Sequence, residues 1–321
     1  MKPRHLLLMI PGCAIAAGSA FAQTFPAKPV RIVVAAGAGG GVDTISRITG
    51  QRLAERWNQQ VVIENRAGAG GVVGSELVAR AAADGYTLLT MSISYAVIPA
   101  MHKDLSYDPV RDFAPVGVLV NAPNILVVHP SLPVKSVKEL ITLARAHPGT
   151  LTYASSGNGG AANLALEAFK LATQTDIVHV PYKGTGPGVT DLIAGRISLS
   201  CTAVVSAMEY VKRDKLRALA TVGARRTQAA PELPTVAEAG VPGYAVDVWY
   251  AMFAPAATPK DVLAQLNGEI TKLLAVPETR ARLAAVGLEP AMEPLDKTNA
   301  YVQSEMAKWS KVVKAANIKP E

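Results

Sequence analysis

The sequence has few cysteines, few aromatic residues and, after its first segment, no long hydrophobic run. Two of its 321 residues are cysteine, 5% are aromatic and 18% are charged. A membrane-spanning helix needs roughly 20 consecutive apolar residues, and no stretch after the first segment approaches that length. Half of the residues are hydrophobic, which excludes a disordered chain. We therefore expect a globular protein with an ordinary hydrophobic core.

Several catalytic and cofactor motifs are also absent. The sequence contains no G-x-x-x-x-G-K-[ST] and no G-x-S-x-G, which excludes a P-loop and a nucleophile elbow. Two glycine-rich segments, residues 37–42 and 68–74, both depart from G-x-G-x-x-G, the dinucleotide-binding fingerprint. After the first segment no two histidines are paired at i, i+4 and none lies near a cysteine. We expect neither a cofactor nor a metal.

The positive charge of the chain is scattered. The formal net charge is +7, yet the tightest basic clusters are residues 212–215 and the pair Arg225-Arg226. Nothing resembles a basic arm or an arginine-rich recognition helix, so we expect no nucleic-acid partner.

The first segment has the order of a secretory signal peptide. Residues 1–5 carry two basic side chains, residues 6–17 are apolar, and Ala20-Phe21-Ala22 is a small-x-small cleavage site. We expect cleavage after Ala22, removal of residues 1–22 and a periplasmic product. The product would retain 321 − 22 = 299 residues, with Cys201 as its single cysteine. It would therefore have no internal disulfide, and we expect Cys201 to be a small buried residue of a strand.

Short β-branched runs alternate with amphipathic stretches along most of the chain. This alternation predicts two α/β lobes built on mainly parallel sheets that are covered by helices on both faces. The predicted strands are residues 30–35, 61–64, 86–91, 125–128, 151–154, 177–180, 197–201 and 216–220. A cluster of proline and glycine at residues 231–243 precedes the C-terminal third, which we expect to be helical.

Two glycine-rich loops follow predicted strands and open predicted helices. In residues 37–41 and 155–160, backbone N–H groups and a helix N-terminus would face one cleft, an arrangement that suits an anion. Asp43 either places a favourable charge at a helix N-terminus or orders the first loop. Lys183 is either a carboxylate counter-ion or a solvated loop residue. In the second loop, Ser155, Ser156 and Asn158 are either helix caps or donors to a carboxylate.

Seven segments, in order, carry the pattern of a known family. They are residues 25–31, 64–71, 84–89, 107–115, 153–159, 179–184 and 234–240. On these segments the chain resembles the substrate-binding proteins of tripartite tricarboxylate transporters, the Bug family abundant in Bordetella. The resemblance covers essentially the whole chain after residue 22.

The resemblance implies a type II periplasmic binding fold, with two α/β lobes joined by a two-crossover hinge. We expect lobe one to comprise residues 23–123 and 246–321, and lobe two residues 124–245. The implied function is capture of a small organic carboxylate, either a di- or tricarboxylate or an aromatic acid, and its delivery to membrane permease subunits. The alternatives are a ligand-dependent sensor that docks to a membrane histidine kinase, and an exported enzyme. An enzyme would need a nucleophile–base pair or a metal. We expect a monomer that is not an enzyme.

The implied ligand-binding residues come from both lobes. They are Ala36, Gly37, Ala38, Gly39, Gly40, Gly41 and Asp43, the rim residues Ser92, Ser94 and Tyr95, the second loop Ser155, Ser156, Gly157 and Asn158, and the distal Thr202 and Ala203. The first loop lacks the proline and aromatic residue common in the family, which predicts a wider or differently shaped pocket. Cys201-Thr202-Ala203 stands where relatives often have Phe-Asp-Asn. The missing acid argues for a plain carboxylate over an amino acid.

Overall fold

The structure, a computed structural model, describes residues 25–320. The predicted signal peptide lies outside the described residues. Within residues 25–320, no helix combines the length and the apolar character that crossing a membrane requires.

Strands occupy short segments spread along the chain. They are β1 (Val30–Val34), β2 (Val61–Asn65), β3 (Thr87–Ser92), β4 (Phe113–Asn121), β5 (Asn124–Val128), β6 (Thr152–Ser155), β7 (Val178–Pro181), β8 (Leu199–Ala203), β9 (Arg217–Thr221), β10 (Trp249–Pro255) and β11 (Glu289–Pro290). Each strand predicted from β-branched runs is present, with its ends displaced by no more than two residues. Strand β1 is buried along nearly its whole length, as expected for a strand covered on both faces.

Helices follow most of the strands. They are α1 (Gly41–Trp57), α2 (Val72–Ala79), α3 (Ile98–Met101), α4 (Val137–Ala146), α5 (Ala161–Thr173), α6 (Thr185–Ile193), α7 (Val204–Lys212), α8 (Lys260–Ala275), α9 (Pro277–Ala285) and α10 (Leu295–Ala315). The helix predicted after the first glycine loop is α1, and its buried residues include Val42, Ile45, Thr49 and Leu53.

The strands form two sheets, one in each α/β lobe. The first has the order β11-β4-β10-β3-β1-β2 and the second β7-β6-β8-β5-β9. The chain passes from the first sheet to the second between Asn121 and Asn124, and returns between Thr221 and Trp249. The predicted class, two α/β lobes connected twice, is the observed one.

The prediction of mainly parallel sheets is only partly correct. Strand β1 is parallel to β2 and β3, and β6 is parallel to β7 and β8. Strand β10, however, is antiparallel to β3 and β4, and β5 is antiparallel to β8 and β9. The reason is topological. Strands β5 and β10 each begin where the chain arrives from the other lobe, so they run away from the cleft while the strands of the βαβ units run toward it.

The expectation of a helical C-terminal third is only partly correct. Helices α8, α9 and α10 lie there, but so does β10, which is an interior strand of the first sheet. Its sequence, Trp-Tyr-Ala-Met-Phe-Ala-Pro, has no β-branched residue and, being buried on both faces, no alternation. Strand β4 was missed for a related reason, since Pro115 and Gly117 interrupt its apolar pattern.

Candidate functional site

A cleft of about 660 Å³ lies between the two lobes. The carboxyl ends of the parallel strands lead into it from both sides: the loop after β1 contributes Gly39 and Gly40, and the loop after β6 contributes Ser156 and Gly160. Ligands of open α/β sheets bind at this position because the loops there connect strands to helix N-termini.

Four helix N-termini surround the cleft. Residues at or beside the first turns of α1, α5, α6 and α7 line it. Their N-cap residues are Gly40, Gly160, Gly184 and Ala203, and none makes a side-chain capping hydrogen bond. The first N–H groups of a helix have no partner within the helix, and the N-terminus carries partial positive charge. The cleft is therefore built to receive negative charge.

No charged side chain belongs to the cleft lining that the structure describes. The polar lining residues are neutral: Thr44, Ser92, Ser94, Asn124, Ser156, Thr185, Thr202, Ser206 and Tyr250. An anion bound there would be held by dipoles and hydrogen-bond donors instead of a counter-ion.

Thr202 is a residue of the cleft lining whose hydroxyl makes no hydrogen bond within residues 25–320. It is the fourth residue of β8 and is 1% exposed. Leaving a buried hydroxyl unpaired costs about 1–3 kcal/mol. An acceptor atom on a bound ligand would remove that cost.

Tyr250 is a cleft residue that the sequence analysis missed. It lies near the start of β10, and a Cβ atom on Gly41 would come within 2.4 Å of its Oη. The missing side chain of Gly41 thus lets the phenol approach the N-terminus of α1. Burial raises the pKa of Tyr250 to about 12, so at neutral pH the phenol keeps its proton. Tyr250 was missed because the sequence analysis expected the C-terminal third of the chain, which contains it, to be helical.

The carboxylate of Asp43 holds the first glycine loop in place. Its carboxylate accepts hydrogen bonds from Gly39 N–H (2.9 Å), Arg47 Nε (3.0 Å) and Asn65 Nδ2 (3.0 Å). Asn65 also donates to the Ala36 carbonyl at 3.2 Å. Burial opposes ionisation, but the bonds from Arg47, Gly39 and Asn65 outweigh it and hold the pKa of Asp43 below its ordinary 3.8. Both sequence interpretations hold, since Asp43 lies in the first turn of α1 and also orders the loop.

The expected site residues fall into two groups. Those that line the cleft are Gly39, Gly40, Gly41, Ser92, Ser94, Ser156, Thr202 and Ala203. The others are not part of its lining: Ala36, Gly37, Ala38, Asp43, Tyr95, Ser155, Gly157 and Asn158. Lys183 is exposed and also lies outside the lining.

The structure gives three residues of the second group other surroundings. Tyr95, expected at the rim, is buried in the core of lobe one with its ring stacked on Phe253 at 4.1 Å. Ser155 Oγ lies 2.6 Å from His179 Nε2 and accepts the Gly157 N–H. Asn158 Nδ2 donates to the Lys319 carbonyl at 3.0 Å. Each of these side chains is directed to protein groups instead of the cleft, because packing of the neighbouring elements fixes its direction.

Other lining residues were outside the sequence prediction. Thr185 and Ser206 lie in the first turns of α6 and α7, and residues 285–288 comprise the last residue of α9 and the three that follow it. Thr185 had a signal, since Gly184-Thr185-Gly186 is another glycine-rich junction between a strand and a helix. Residues 285–288 had none, because they reach the cleft from a distant part of the chain.

Cys201 lines the cleft, and burial raises the pKa of its thiol well above the ordinary range. Within residues 25–320 no group of three or more His, Cys, Asp or Glu side chains is placed to hold a metal ion.

Comparison with known proteins identifies the family. Residues 45–318 match the family model described as the tripartite tricarboxylate transporter family receptor. The chain belongs to this family. A curated relative is the protein BugT of Bordetella pertussis, 35% identical over 300 residues that cover 93% of this chain and 92% of BugT. The Bug-family resemblance read from the sequence is confirmed.

Two solved receptors of similar structure were determined with ligands. R. palustris Rpa4515 with adipate is 36% identical, with a TM-score of 0.82, and the match covers 92% of this chain and all of that one. MatC from Rhodopseudomonas palustris with bound malate is 31% identical, with a TM-score of 0.78, over 90% of this chain and all of MatC. Receptors of this family are periplasmic binding proteins.

Proposed function

We propose that this receptor captures a small organic carboxylate in the cleft between its lobes and delivers it to the membrane subunits of a tripartite tricarboxylate transporter. The observation that carries this proposal is the convergence of four uncapped helix N-termini on a cleft lined without charged side chains. That arrangement favours an anion over a neutral or cationic ligand.

In this proposal, N–H groups of Gly40 and Gly41 bind the carboxylate from lobe one, while the Gly39 N–H is held by Asp43. Ser156, Thr202 and Ala203 bind it from lobe two. Hydrogen bonds to a charged group are worth about 1.5–3 kcal/mol each. Three or four such bonds, less the cost of closing the lobes, correspond to micromolar binding or tighter.

The ligand we propose is a di- or tricarboxylate or an aromatic acid without an amino group. Thr202 stands where relatives often carry an acid, and the described lining has no carboxylate to pair with an ammonium group. The adipate and malate bound by two similar receptors are plain dicarboxylates. The charge-free lining also gives no reason to expect chemistry on the ligand, and we propose binding without turnover.

Calorimetry on protein purified from the periplasm tests the binding step. Adipate, malate, citrate and benzoate are titrated, with adipamide as the uncharged control for adipate. We expect at least one acid to bind at micromolar concentration, and adipamide to bind at least 100-fold more weakly than adipate if adipate is a ligand. Failure of every acid, or equal affinity for an acid and its amide, would contradict the proposal.

Uptake measurements test the transport step. Deleting the gene should abolish accumulation of the bound radiolabelled acid, and restoring it should recover accumulation. Unchanged uptake, together with acid-dependent capture of a histidine kinase by the tagged protein, would instead indicate a sensor. Recovery of the acid in altered form after incubation would indicate an enzyme.

A further inference from the structure

A second cavity, of about 740 Å³, lies beside the two chain crossings. It shares Asn124, Val248, Gly287 and Leu288 with the ligand cleft, but the rest of its lining is different. Residues 223–229, which follow β9, line it from lobe two, and residues 280–290 of α9 and β11 contribute the lobe-one side. The cavity is therefore assembled from both lobes.

Charge distinguishes this cavity, which we call the hinge cavity, from the ligand cleft. Its lining contains three arginines, Arg225, Arg226 and Arg280, and two acids, Asp247 and Glu289. The ligand cleft has no charged lining residue in the described chain. The two cavities are neighbours, but their linings differ in charge.

Both acids of the hinge cavity already accept hydrogen bonds from the loop 223–229. Asp247 Oδ1 accepts the Ala224 N–H at 3.0 Å. Glu289 Oε1 accepts the Thr227 hydroxyl at 2.9 Å and the Gln228 N–H at 3.1 Å. These bonds tie the loop of lobe two to β11 of lobe one and to the second crossing.

The arginines are not equally engaged. Arg226 Nε lies 2.9 Å from Glu238 Oε2, so this guanidinium has its own carboxylate. Arg225 and Arg280 form no ion pair with any residue in the described part of the chain. They also belong to different lobes, since Arg225 follows β9 and Arg280 lies in α9, which packs against β11.

A guanidinium presents a planar fork of donors that matches an oxyanion edge. Two guanidinium groups that line one cavity from different lobes match an anion with more than one such edge. We propose that the hinge cavity binds a small multivalent oxyanion, of which phosphate is the simplest, between Arg225 and Arg280. Bound there, the anion connects the lobes at the crossings, so by linkage it alters the ligand affinity of the cleft if lobe closure changes the cavity.

The proposal is tested on protein purified from the periplasm. Phosphate is titrated at constant ionic strength, and binding is measured by calorimetry and by phosphorus NMR. We expect saturable binding at one site. Arg225→Gln and Arg280→Gln should each weaken it at least tenfold, because each removes one of the two anchors. The control is Arg213→Gln, an exposed arginine paired with Glu209 on α7 outside the cavity, which should leave phosphate binding unchanged.

Three outcomes would overturn the hinge-cavity site. They are no saturable phosphate binding, binding that neither cavity variant weakens, and binding that Arg213→Gln weakens equally. The variants are checked for folding by circular dichroism and for retained binding of the organic acid. Loss of phosphate binding with retained acid binding separates this site from the ligand cleft, and the acid titration alone decides the proposed transport function.

Discussion

Thr202 combines two properties that conflict in the unliganded protein. Its hydroxyl is buried and unpaired, which destabilises the fold, yet it lies in the lining of the cleft. Natural proteins pair most buried polar groups, and exceptions often mark functional positions. The unpaired hydroxyl is explained if a ligand oxygen accepts a hydrogen bond from it.

We predict that Thr202→Val stabilises the unliganded protein by about 1 kcal/mol and weakens carboxylate binding about tenfold. Stability rises because an unpaired buried hydroxyl is replaced by a methyl group of similar shape, and affinity falls because a donor is lost. Chemical denaturation and calorimetry measure the two effects.

Thr90→Val is the matched control. Thr90 Oγ1 is also buried and unpaired within the described residues, but it lies in β3 outside the cleft lining. This variant should stabilise the fold and leave affinity unchanged. Equal loss of affinity in both variants would show that Thr202 does not bind the ligand.

Asp43 gives a prediction that includes pH. Asp43→Asn removes the charge that the Gly39 N–H and Arg47 contact, so the loop is held less firmly and we expect affinity to fall about tenfold. In the native protein the folded-state pKa of Asp43 is lowered, so its stabilising contribution is present above the unfolded value and is lost as pH falls through the folded value. Binding should therefore persist down to the ordinary aspartate pKa of 3.8 and decline only below it, as pH falls through the lowered pKa of Asp43. A variant that binds as well as the native protein at pH 7 would show that the loop holds its shape without the carboxylate.

Helix α1 and strand β10 approach closely at Gly41. A Cβ atom there would lie 2.4 Å from Tyr250 Oη and 2.8 Å from Cε2 of the same ring. A residue other than glycine must displace the phenol from the cleft or move the helix N-terminus.

We predict that Gly41→Ala lowers affinity at least tenfold while the protein remains folded, because Tyr250 is partly open to the cleft and its ring can shift. Gly37→Ala is the control: a Cβ on Gly37 meets no atom within 4 Å, and Gly37 does not line the cleft. Calorimetry and circular dichroism compare the two. Full affinity in Gly41→Ala would show that the approach of Tyr250 to α1 is unimportant for binding.

A buried carboxylate joins the C-terminal helix to the first sheet. Glu305 of α10 accepts hydrogen bonds from Trp249 Nε1 of β10 at 3.2 Å and from Trp309 Nε1 at 2.9 Å. Both indole rings are completely buried. The bond from Trp249 fixes α10 across β10, the strand that also carries Tyr250, and the bond from Trp309 lies within α10.

We predict that Glu305→Leu lowers the free energy of unfolding by about 2–5 kcal/mol, because two buried indole N–H groups lose their acceptor. Glu305→Gln retains a carbonyl acceptor and should cost less. As a surface control, Glu209→Leu disrupts an exposed pair with Arg213 and should change stability by less than about 1 kcal/mol. Urea denaturation followed by tryptophan fluorescence measures all three variants. Similar losses for Glu305→Leu and Glu209→Leu would contradict the assignment.

The two lobes contact each other directly at the cleft. Ser94 Oγ, just after β3 of lobe one, donates to the Gly159 carbonyl of lobe two at 3.1 Å. On the same side, a Cβ on Gly159 would lie 2.7 Å from Met101 Sδ, so the second glycine loop packs closely on lobe one. Contacts of this kind can form only when the lobes are together.

We predict that a bound carboxylate favours the closed arrangement and lowers the radius of gyration measured by small-angle X-ray scattering. Ser94→Ala should raise the radius of gyration of the unliganded protein and weaken binding about fivefold, since one contact of the closed state is lost. An identical radius of gyration with and without a saturating ligand would argue against closure.

How much of the site was predictable differs from residue to residue. The glycine loops were found because Gly39, Gly40 and Gly41 follow a β-branched strand and precede an amphipathic helix, a local pattern. Tyr95 was misplaced, since nothing local shows that its ring stacks on Phe253 of a strand far away in sequence. Tyr250 was missed because β10 is apolar on both faces and lacks the alternation that identifies a strand.

The sequence by itself determined the local elements, the glycine-rich strand-to-helix junctions and, through its family pattern, two α/β lobes. These depend on short-range preferences of the backbone and on the burial of apolar runs. The tertiary structure alone decided which junctions meet, that four helix N-termini surround one uncharged cleft, and that Arg225 and Arg280 share another cavity. Such neighbours are separated by long stretches of chain, and only the packing of the folded lobes brings them together.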